Sequence, residues 1–217
     1  MKLYITRHGK TVWNIESRFQ GVKDSCLVEE GIRDAKDLRN RIYDIPFAKV
    51  LTSPLGRAKQ TTEIVFENRD INIEIDQRIS EMNFGVFEGM KTQDIFLEYG
   101  ELYDNLWNHP EKFTRCPGGG ESFEDVKKRI ESFVNDLKQY DENQNVFIVT
   151  HGMFFICLLG YFLGYDPIDF PKINRSVVRG GSITIVEILN DTFNVLCVGD
   201  DSHLTKEDAF SYVIKQK

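Results

Sequence analysis

The sequence lacks most of the signals that identify metal, redox and cofactor sites. Its four cysteines are scattered without a C-x-x-C pair, which favours free thiols in a reducing cytoplasm. Its four histidines form no H-E-x-x-H segment and no close ligand cluster with the acidic residues, so we expect neither a metal nor another cofactor. No internal repeat, low-complexity segment or linker interrupts the chain, and we expect a single domain over residues 1–217.

Excess positive charge and long apolar runs are also missing. Lysine and arginine number 27 against 34 acidic residues, a net charge of −7, which argues against a nucleic-acid partner. The longest strongly apolar run, residues 153–163, is too short to span a bilayer, and the N-terminus enters a strand-like run rather than a signal peptide. We therefore expect no membrane partner and a cytoplasmic location, and the sequence leaves the oligomeric state open.

Strand-like and helix-like segments alternate along the chain. Apolar residues at three- and four-residue steps predict helices, and apolar runs or alternation predict strands. The predicted strands are 2–6, 48–52, 71–75, 145–150, 182–189 and 192–198, and the predicted helices are 29–43, 53–66, 92–107, a long helix capped by Ser122, and 153–163. This order predicts an α/β fold: a three-layer α/β/α sandwich with a mostly parallel central sheet.

Other segments are predicted to be irregular or to cover the sheet. The stretch at about 80–120 is expected to form a small, cap-like helical insertion over the carboxyl edge of the sheet, with a helix break near Gly100. Ser53 is the expected N-cap of the helix that follows it. Asn190 and Asp191 predict a tight hairpin, and a short helix is expected in the charged tail that starts at Thr205.

Two strand-like runs each end in a histidine followed by a glycine, His8-Gly9 and His151-Gly152. Ligands of open α/β sheets bind at the carboxyl ends of the strands, so the two histidines can converge on one pocket. A histidine at such an edge can be a nucleophile, and an adjacent glycine lets the backbone approach a ligand. The alternative is two unrelated loop histidines with turn glycines.

The first of these runs is a complete Arg-His-Gly-x-Thr-x-x-Asn pattern that ends at Asn14. Together with the segments 53–58, 81–89, 150–152 and 201–204, it resembles the histidine phosphatase superfamily, which includes the cofactor-dependent phosphoglycerate mutases. The segment 81–89 is similar to the Glu-x-x-Phe-Gly-x-x-Glu-Gly loop of the phosphatase members. Mutases carry an arginine directly after the first glutamate, where this chain has Met82.

The resemblance implies the roles of the site residues. His8 is the expected nucleophile, which would form a phosphohistidine, and Arg7 and Arg57 are expected to bind the phosphate with their guanidinium forks. Glu81 is the expected general acid and then base. The remaining expected phosphate or substrate contacts are Asn14, Gln20, Gly21, His151 and Gly152. Phosphoryl transfer independently requires a nucleophile surrounded by positive charge, and a neutral imidazole is available near pH 7.

Ordinary structural roles are the alternatives for the same residues. Arg57 can be a surface arginine and Glu81 an exposed glutamate, while Asn14 can be a local cap and His151 a buried structural histidine. We interpret the whole pattern as a metal-independent phosphatase of small phosphorylated metabolites. The alternatives are a phosphoglycerate mutase and a non-catalytic phosphate-binding module, and retention of both a nucleophile and a proton donor argues against the latter.

Overall fold

The computed structural model describes residues 1–140, 143–166, 169, 173 and 178–205. Within them lie six strands, six α-helices and two 3₁₀ turns. The strands are β1 (Lys2–Arg7), β2 (Lys49–Thr52), β3 (Ile73–Ile75), β4 (Asn145–Thr150), β5 (Ile183–Leu189) and β6 (Thr192–Asp200). The helices are α1 (Val12–Ile15), α2 (Glu29–Arg41), α3 (Gly56–Val65), α4 (Thr92–Asn108), α5 (Phe123–Leu137) and α6 (Gly152–Phe162), and the 3₁₀ turns are Gln77–Ile79 and Gly85–Phe87.

The six strands form one sheet in the order β3-β2-β4-β1-β5-β6. β1, β4, β2 and β3 are parallel to one another, β5 is antiparallel to β1, and β5 and β6 form an antiparallel hairpin. The turn of that hairpin has positive φ at Asn190 and Asp191, which suits the twist of a two-residue connection. The predicted α/β fold with a mostly parallel sheet is therefore confirmed.

Alternate residues of the central strands enter two separate cores, because successive strand side chains point to opposite faces. In β4, Val146 and Ile148 pack with α5 and α6, whereas Phe147 and Val149 pack with α2 and α3. Each fully buried apolar side chain contributes about 1.5–3 kcal/mol relative to an exposed one. The helices thus cover both faces of the sheet, and the three predicted layers are present.

One helix boundary differs from the sequence-based expectation. α3 begins at Gly56 with Leu55 as its N-cap, because the backbone N–H of Ser53 still extends the β2–β4 ladder by donating to Val149. The break expected near Gly100 of α4 is observed at Tyr99. Ser122 also caps α5 as predicted, with Asp125 completing a reciprocal capping box.

The stretch between β3 and α5 packs on the α5–α6 side of the sheet. Its aromatic residues pack around Phe19 of the loop that follows α1. Phe19 makes edge-to-face contacts with Phe84 and Phe87, and it also contacts Tyr103 and Trp107 of α4.

The helix expected in the tail lies outside the described residues. Among the helices that the structure describes, none combines the length and apolarity needed to cross a membrane.

Candidate active site

The two histidines meet because their strands are neighbours in register. Arg7 at the end of β1 lies opposite Thr150 at the end of β4, so the next residue of each strand, His8 or His151, leaves the sheet at the same point. Their ring centroids are 5.1 Å apart and both side chains are buried, at 2% and 0% exposure. The expected convergence of the two motifs is therefore observed.

Hydrogen bonds define the tautomer of His8. Arg57 Nε, which can only donate, lies 3.1 Å from His8 Nε2, so Nε2 must carry the lone pair. Nδ1 then holds the proton and donates to the carbonyl oxygen of Gly9 at 2.8 Å. Burial lowers the pKa of His8 well below its ordinary value, and the positive charges of Arg57 and Arg7 lower it further. His8 is thus a neutral imidazole with its lone pair directed at a guanidinium.

The backbone around His8 is packed too tightly for side chains. A Cβ at Gly9 would lie 2.7 Å from the carbonyl oxygen of Gly31 in α2, and a Cβ at Gly180 would overlap the carbonyl oxygen of His8. The N–H of Gly9 donates to Thr61 Oγ1 of α3 at 3.0 Å. These contacts hold the turn that aims the imidazole away from the sheet.

Arg57 is fixed by the loop that follows α1. Its side chain is 1% exposed, and its Nη1 donates to the carbonyl oxygen of Lys23 and to Asp24 Oδ1, while Nη2 donates to the carbonyl oxygen of Gly21. Burial lowers its pKa, and the carboxylates of Glu81 and Asp24 oppose that shift. The guanidinium stays charged and is already oriented, so little freedom is lost when it binds an anion.

The second guanidinium belongs to Arg7, at the end of β1. A Cβ built on Gly152 would lie 3.5 Å from Arg7 Nε, which places this arginine against the start of α6. The charges of Arg7 and Arg57 both lower the pKa of His8 and of His151. Two arginines and two neutral imidazoles therefore surround one point, which favours an anion and disfavours a cation.

Only one ring nitrogen of His151 has a hydrogen-bond partner among the described residues. Its Nε2 lies 2.7 Å from Ser53 Oγ, and its buried Nδ1 finds no hydrogen-bond partner within the described part of the chain. Burial is the first cause that lowers the pKa of His151, and the positive charges of Arg57 and Arg7 lower it further. Buried polar atoms normally have a partner, and a bound oxyanion beside His8 can supply it.

The Glu81 carboxylate is hydrogen-bonded to the N-terminus of α6, the helix that follows the second histidine motif. Its Oε1 accepts the N–H groups of Met82 and Phe154, both at 2.9 Å, and its Oε2 accepts the N–H of Met153 at 3.2 Å. Helix N-termini bind carboxylates in this way because their N–H groups lack partners within the helix. Glu81 is 8% exposed, and its carboxylate is positioned by the helix whose N-cap is His151.

The other predicted contact residues support the entrance of the site. Gln20 Oε1 accepts the hydroxyl of Thr11 at 3.1 Å, and Gly21 provides the carbonyl oxygen that binds Arg57. Asn14 Oδ1 accepts the backbone N–H of Thr11, and the N–H of Asn14 donates to Thr11 Oγ1, which completes the capping box of α1. The structure therefore places Gln20 and Gly21 in the loop that holds Arg57, and Asn14 in α1 just before that loop.

Sequence reasoning missed two acidic residues in this network. Glu88 is buried, and its Oε1 accepts the N–H groups of Val22 and Phe84, so it joins the entrance loop to the loop of Glu81. Asp24 binds both the backbone and the side chain of Arg57. Glu88 is the second glutamate of the 81–89 motif, which was a usable signal, whereas the pairing of Asp24 required the fold.

A cavity of about 450 Å³ lies elsewhere, between β2, β3 and the C-terminal half of α5. Its two cations already have acidic partners: Lys49 pairs with Glu74, and Arg78 pairs with Asp76 and Asp136. Carboxylates therefore neutralise the cations that line this cavity, which disfavours it as an anion-binding site. Among the described residues, no group of three or more potential ligands that could hold a metal ion is found.

Comparisons with known proteins agree with this geometry. The sequence model of the histidine phosphatase superfamily (branch 1) matches residues 3–201. The probable phosphoglycerate mutase GpmB of Erwinia tasmaniensis is 32% identical over 94% of this chain and 95% of its own length. The adenosylcobalamin/alpha-ribazole phosphatase of Escherichia coli is 30% identical over 76% of this chain and 80% of its own length.

A solved structure shows the same relationship. The YhfR protein of Bacillus stearothermophilus superposes with a TM-score of 0.88 at 36% identity, covering 94% of this chain and 99% of its own. The family match covers both histidine motifs, and the segments that the motifs identified lie together at one edge of the sheet. This chain belongs to branch 1 of the histidine phosphatase superfamily.

Proposed function

We propose that this chain is a metal-independent phosphoric monoester hydrolase that acts on small phosphate esters through a phosphohistidine on His8. The single observation that carries the proposal is the neutral, buried His8 whose Nε2 lone pair faces Arg57 Nε at 3.1 Å. A nucleophile held against an arginine provides the two requirements of phosphoryl transfer, attack and charge neutralisation. The phosphatase name of the E. coli relative supports the same reaction class.

The proposed reaction has two balanced halves. In the first, His8 Nε2 forms a bond to phosphorus, the P–O ester bond breaks, and Glu81 gives its proton to the leaving oxygen. In the second, Glu81 takes a proton from water, the water oxygen bonds to phosphorus, and the P–N bond breaks to release phosphate. Arg7, Arg57 and the unpartnered Nδ1 of His151 would stabilise the equatorial oxygens in both halves.

A phosphoglycerate mutase is the second candidate, favoured by the names of several relatives that share about a third of their sequence with this chain. A mutase must also bind the carboxylate of its substrate. The residue after Glu81, an arginine in mutases, is here Met82, whose side chain is 0% exposed within the core beneath the α4 stretch. That burial favours hydrolysis over return of the phosphoryl group to a bound acid.

We further infer that the partner is a small phosphorylated metabolite and that nucleic acid and membranes are not partners, which the net charge of −7 supports. Four free thiols, of Cys26, Cys116, Cys157 and Cys197, support a cytoplasmic location. A non-catalytic phosphate-binding module would need neither a nucleophilic imidazole nor a carboxyl for proton transfer.

The test is a pair of assays on one preparation, both in the presence of a chelator. The first measures phosphate release from p-nitrophenyl phosphate and a panel of metabolite esters. The second measures interconversion of 2- and 3-phosphoglycerate with bisphosphoglycerate supplied. We expect hydrolysis of several esters and at most trace interconversion. Mutase turnover above every hydrolysis rate would favour the second candidate, and activity in neither assay would favour a binding module.

A further inference from the structure

The segment that carries Glu81 has little regular structure of its own. It lies between the 3₁₀ turns Gln77–Ile79 and Gly85–Phe87, so its main-chain groups are not paired in a helix or a sheet. Buried backbone groups need partners, and a general acid must be held within a fraction of an ångström to be effective. The supports of this segment therefore decide where the Glu81 carboxyl lies.

Arg129 of α5 supplies most of those supports. Its Nη1 donates to the carbonyl oxygens of Arg78 and Ser80 at 2.6 and 2.8 Å, and its Nη2 donates to the carbonyl oxygen of Glu81 at 3.3 Å. The other two N–H groups go to the carboxylate of Glu121. All five donors of the guanidinium are used, three of them on the main chain that ends at the proposed acid.

Glu121 holds the main chain on the other side of Glu81. Its Oε2 accepts the N–H of Asn83 at 2.9 Å, and its own N–H donates to the carbonyl oxygen of Asn83 at 2.8 Å. The ion pair is only partly exposed, at 16% for the Arg129 side chain and 24% for that of Glu121. One ion pair thus fixes the chain before and after Glu81.

Arg129 also contacts the surface that receives the carboxylate. Its guanidinium stacks on the ring of Phe154 with 4.8 Å between Cζ and the ring centroid, and the N–H of Phe154 donates to Glu81 Oε1. The arginine therefore orders both the segment that bears the carboxyl and the first turn of α6 that binds it, although it bonds only the main chain of Glu81.

We propose that the Glu121–Arg129 ion pair is a positioning device for proton transfer by Glu81, and that its loss selectively impairs the cleavage of esters whose leaving oxygen needs a proton. This inference rests on the proposed function. An aryl ester such as p-nitrophenyl phosphate leaves as a stable anion, whereas an alkyl ester such as glycerol phosphate must be protonated as the P–O bond breaks. A purely structural arginine would affect the two esters alike.

The experiment compares kcat/KM for these two esters, since this ratio reports steps up to release of the alcohol. In Arg129→Met, kcat/KM for glycerol phosphate should fall about tenfold to a hundredfold, the cost of a small misplacement of a catalytic group, with little change for p-nitrophenyl phosphate. Arg129→Lys should not restore the alkyl activity, because an ammonium cannot reproduce the planar fork. Glu121→Gln should show the same selectivity.

Arg69 is a matched control elsewhere in the fold. It also donates to two main-chain carbonyl oxygens, of Ile42 and Ile45, and stacks on Phe47 and Phe66. Arg69→Met should lower the melting temperature while the ratio of the two kcat/KM values stays at the wild-type value. All assays are run well below the melting temperature of each variant.

Glu81→Gln separates the two levels of the proposal. Equal losses on both esters in Glu81→Gln would reject the acid role and the positioning role together. If Glu81→Gln is selective but Arg129→Met slows both esters equally or neither, the positioning role alone is wrong. The positioning role is supported if the alkyl ester is selectively impaired in Glu81→Gln, Arg129→Met and Glu121→Gln. Arg69→Met must not show this selectivity.

Discussion

Arg57 and His8 are joined by one hydrogen bond, from Nε to Nε2, although they lie 49 residues apart in the chain. The bond occupies the lone pair that would attack phosphorus. A phosphoryl group must therefore enter between the two side chains, so that Nε2 turns from acceptor to nucleophile and the guanidinium N–H turns to a phosphate oxygen. Since the two nitrogens are only 3.1 Å apart, the imidazole and the guanidinium must separate to admit the phosphoryl group, and the bonds from the outer N–H groups of Arg57 to the entrance loop limit how far the guanidinium moves.

His8→Ala should abolish turnover and leave the fold intact, because it removes the lone pair while the turn is still held by Gly9. Brief incubation of the wild type with labelled substrate should give a phosphorylated protein that is stable to base and labile to acid. The exposed His109 provides a control, and His109→Ala should keep full activity. An acid-stable adduct, or retained turnover in His8→Ala, would contradict the assignment.

Arg57→Ala should weaken the binding of both substrate and inorganic phosphate. A buried charge-assisted contact is worth on the order of 1.5–3 kcal/mol, so the inhibition constant of phosphate should rise by about one to two decades. The same change in Arg115, whose side chain is 58% exposed, should have no effect. Unchanged phosphate inhibition in Arg57→Ala would show that the anion binds elsewhere.

Gly180→Ala should reduce activity through the backbone of His8. The added Cβ would overlap the carbonyl oxygen of His8, and relief of that overlap must move the turn, at a cost of about 1–3 kcal/mol in stability. At Gly100 of α4 a Cβ would meet no atom within 4 Å, so Gly100→Ala should hold or raise the melting temperature. Thermal unfolding and kcat/KM measured on both variants check the prediction, and equal behaviour of the two would refute it.

Acidification should destabilise the protein through its two buried histidines. Burial lowers the folded-state pKa values of His8 and His151 well below 6.5, so below that pH the unfolded chain binds protons that the folded chain excludes. Stability is therefore fully present above about pH 6.5 and falls as the pH decreases, by about 1.4 kcal/mol per pH unit for each histidine.

Urea unfolding at pH 7.5 and 5.5 measures that loss. The double variant His8→Asn, His151→Asn should lose distinctly less stability over this range than the wild type, because asparagine does not titrate. The exposed His109→Asn serves as the control and should behave like the wild type. A wild-type stability that is independent of pH across this window would mean that the histidines are not buried as neutral groups.

The sequence predicted the features that depend on local pattern or on strand ends. The two histidines were expected together because both follow strands, and Ser122 was expected as a cap because its partner lies three residues away. The features that were missed depend on tertiary pairing. Nothing near Arg129 in sequence indicates that its guanidinium binds the carbonyl oxygens of residues 78, 80 and 81, and Asp24 has no local relation to Arg57.

Ser53 shows why a correct local signal can still give a wrong boundary. A serine before a proline favours a helix start, but pairing with β4 keeps Ser53 extended and its hydroxyl is used by His151. The helix therefore begins at Gly56. Similarly, the N–H groups that the α6 N-terminus donates to Glu81 were invisible in the sequence because Glu81 reaches them from a different part of the chain.

The position of β4 has a consequence for how the protein is made. This strand is synthesised after β1, β2 and β3, yet it lies between β1 and β2 and pairs with both. A ribosome-bound chain that ends before residue 145 can form local helices, but it leaves the facing edges of β1 and β2 unpaired and brings no second histidine to the first. Closing so long a loop is slow, so the nascent chain exposes these two strand edges from the synthesis of β2 until β4 is made, and unpaired edges favour aggregation during that interval.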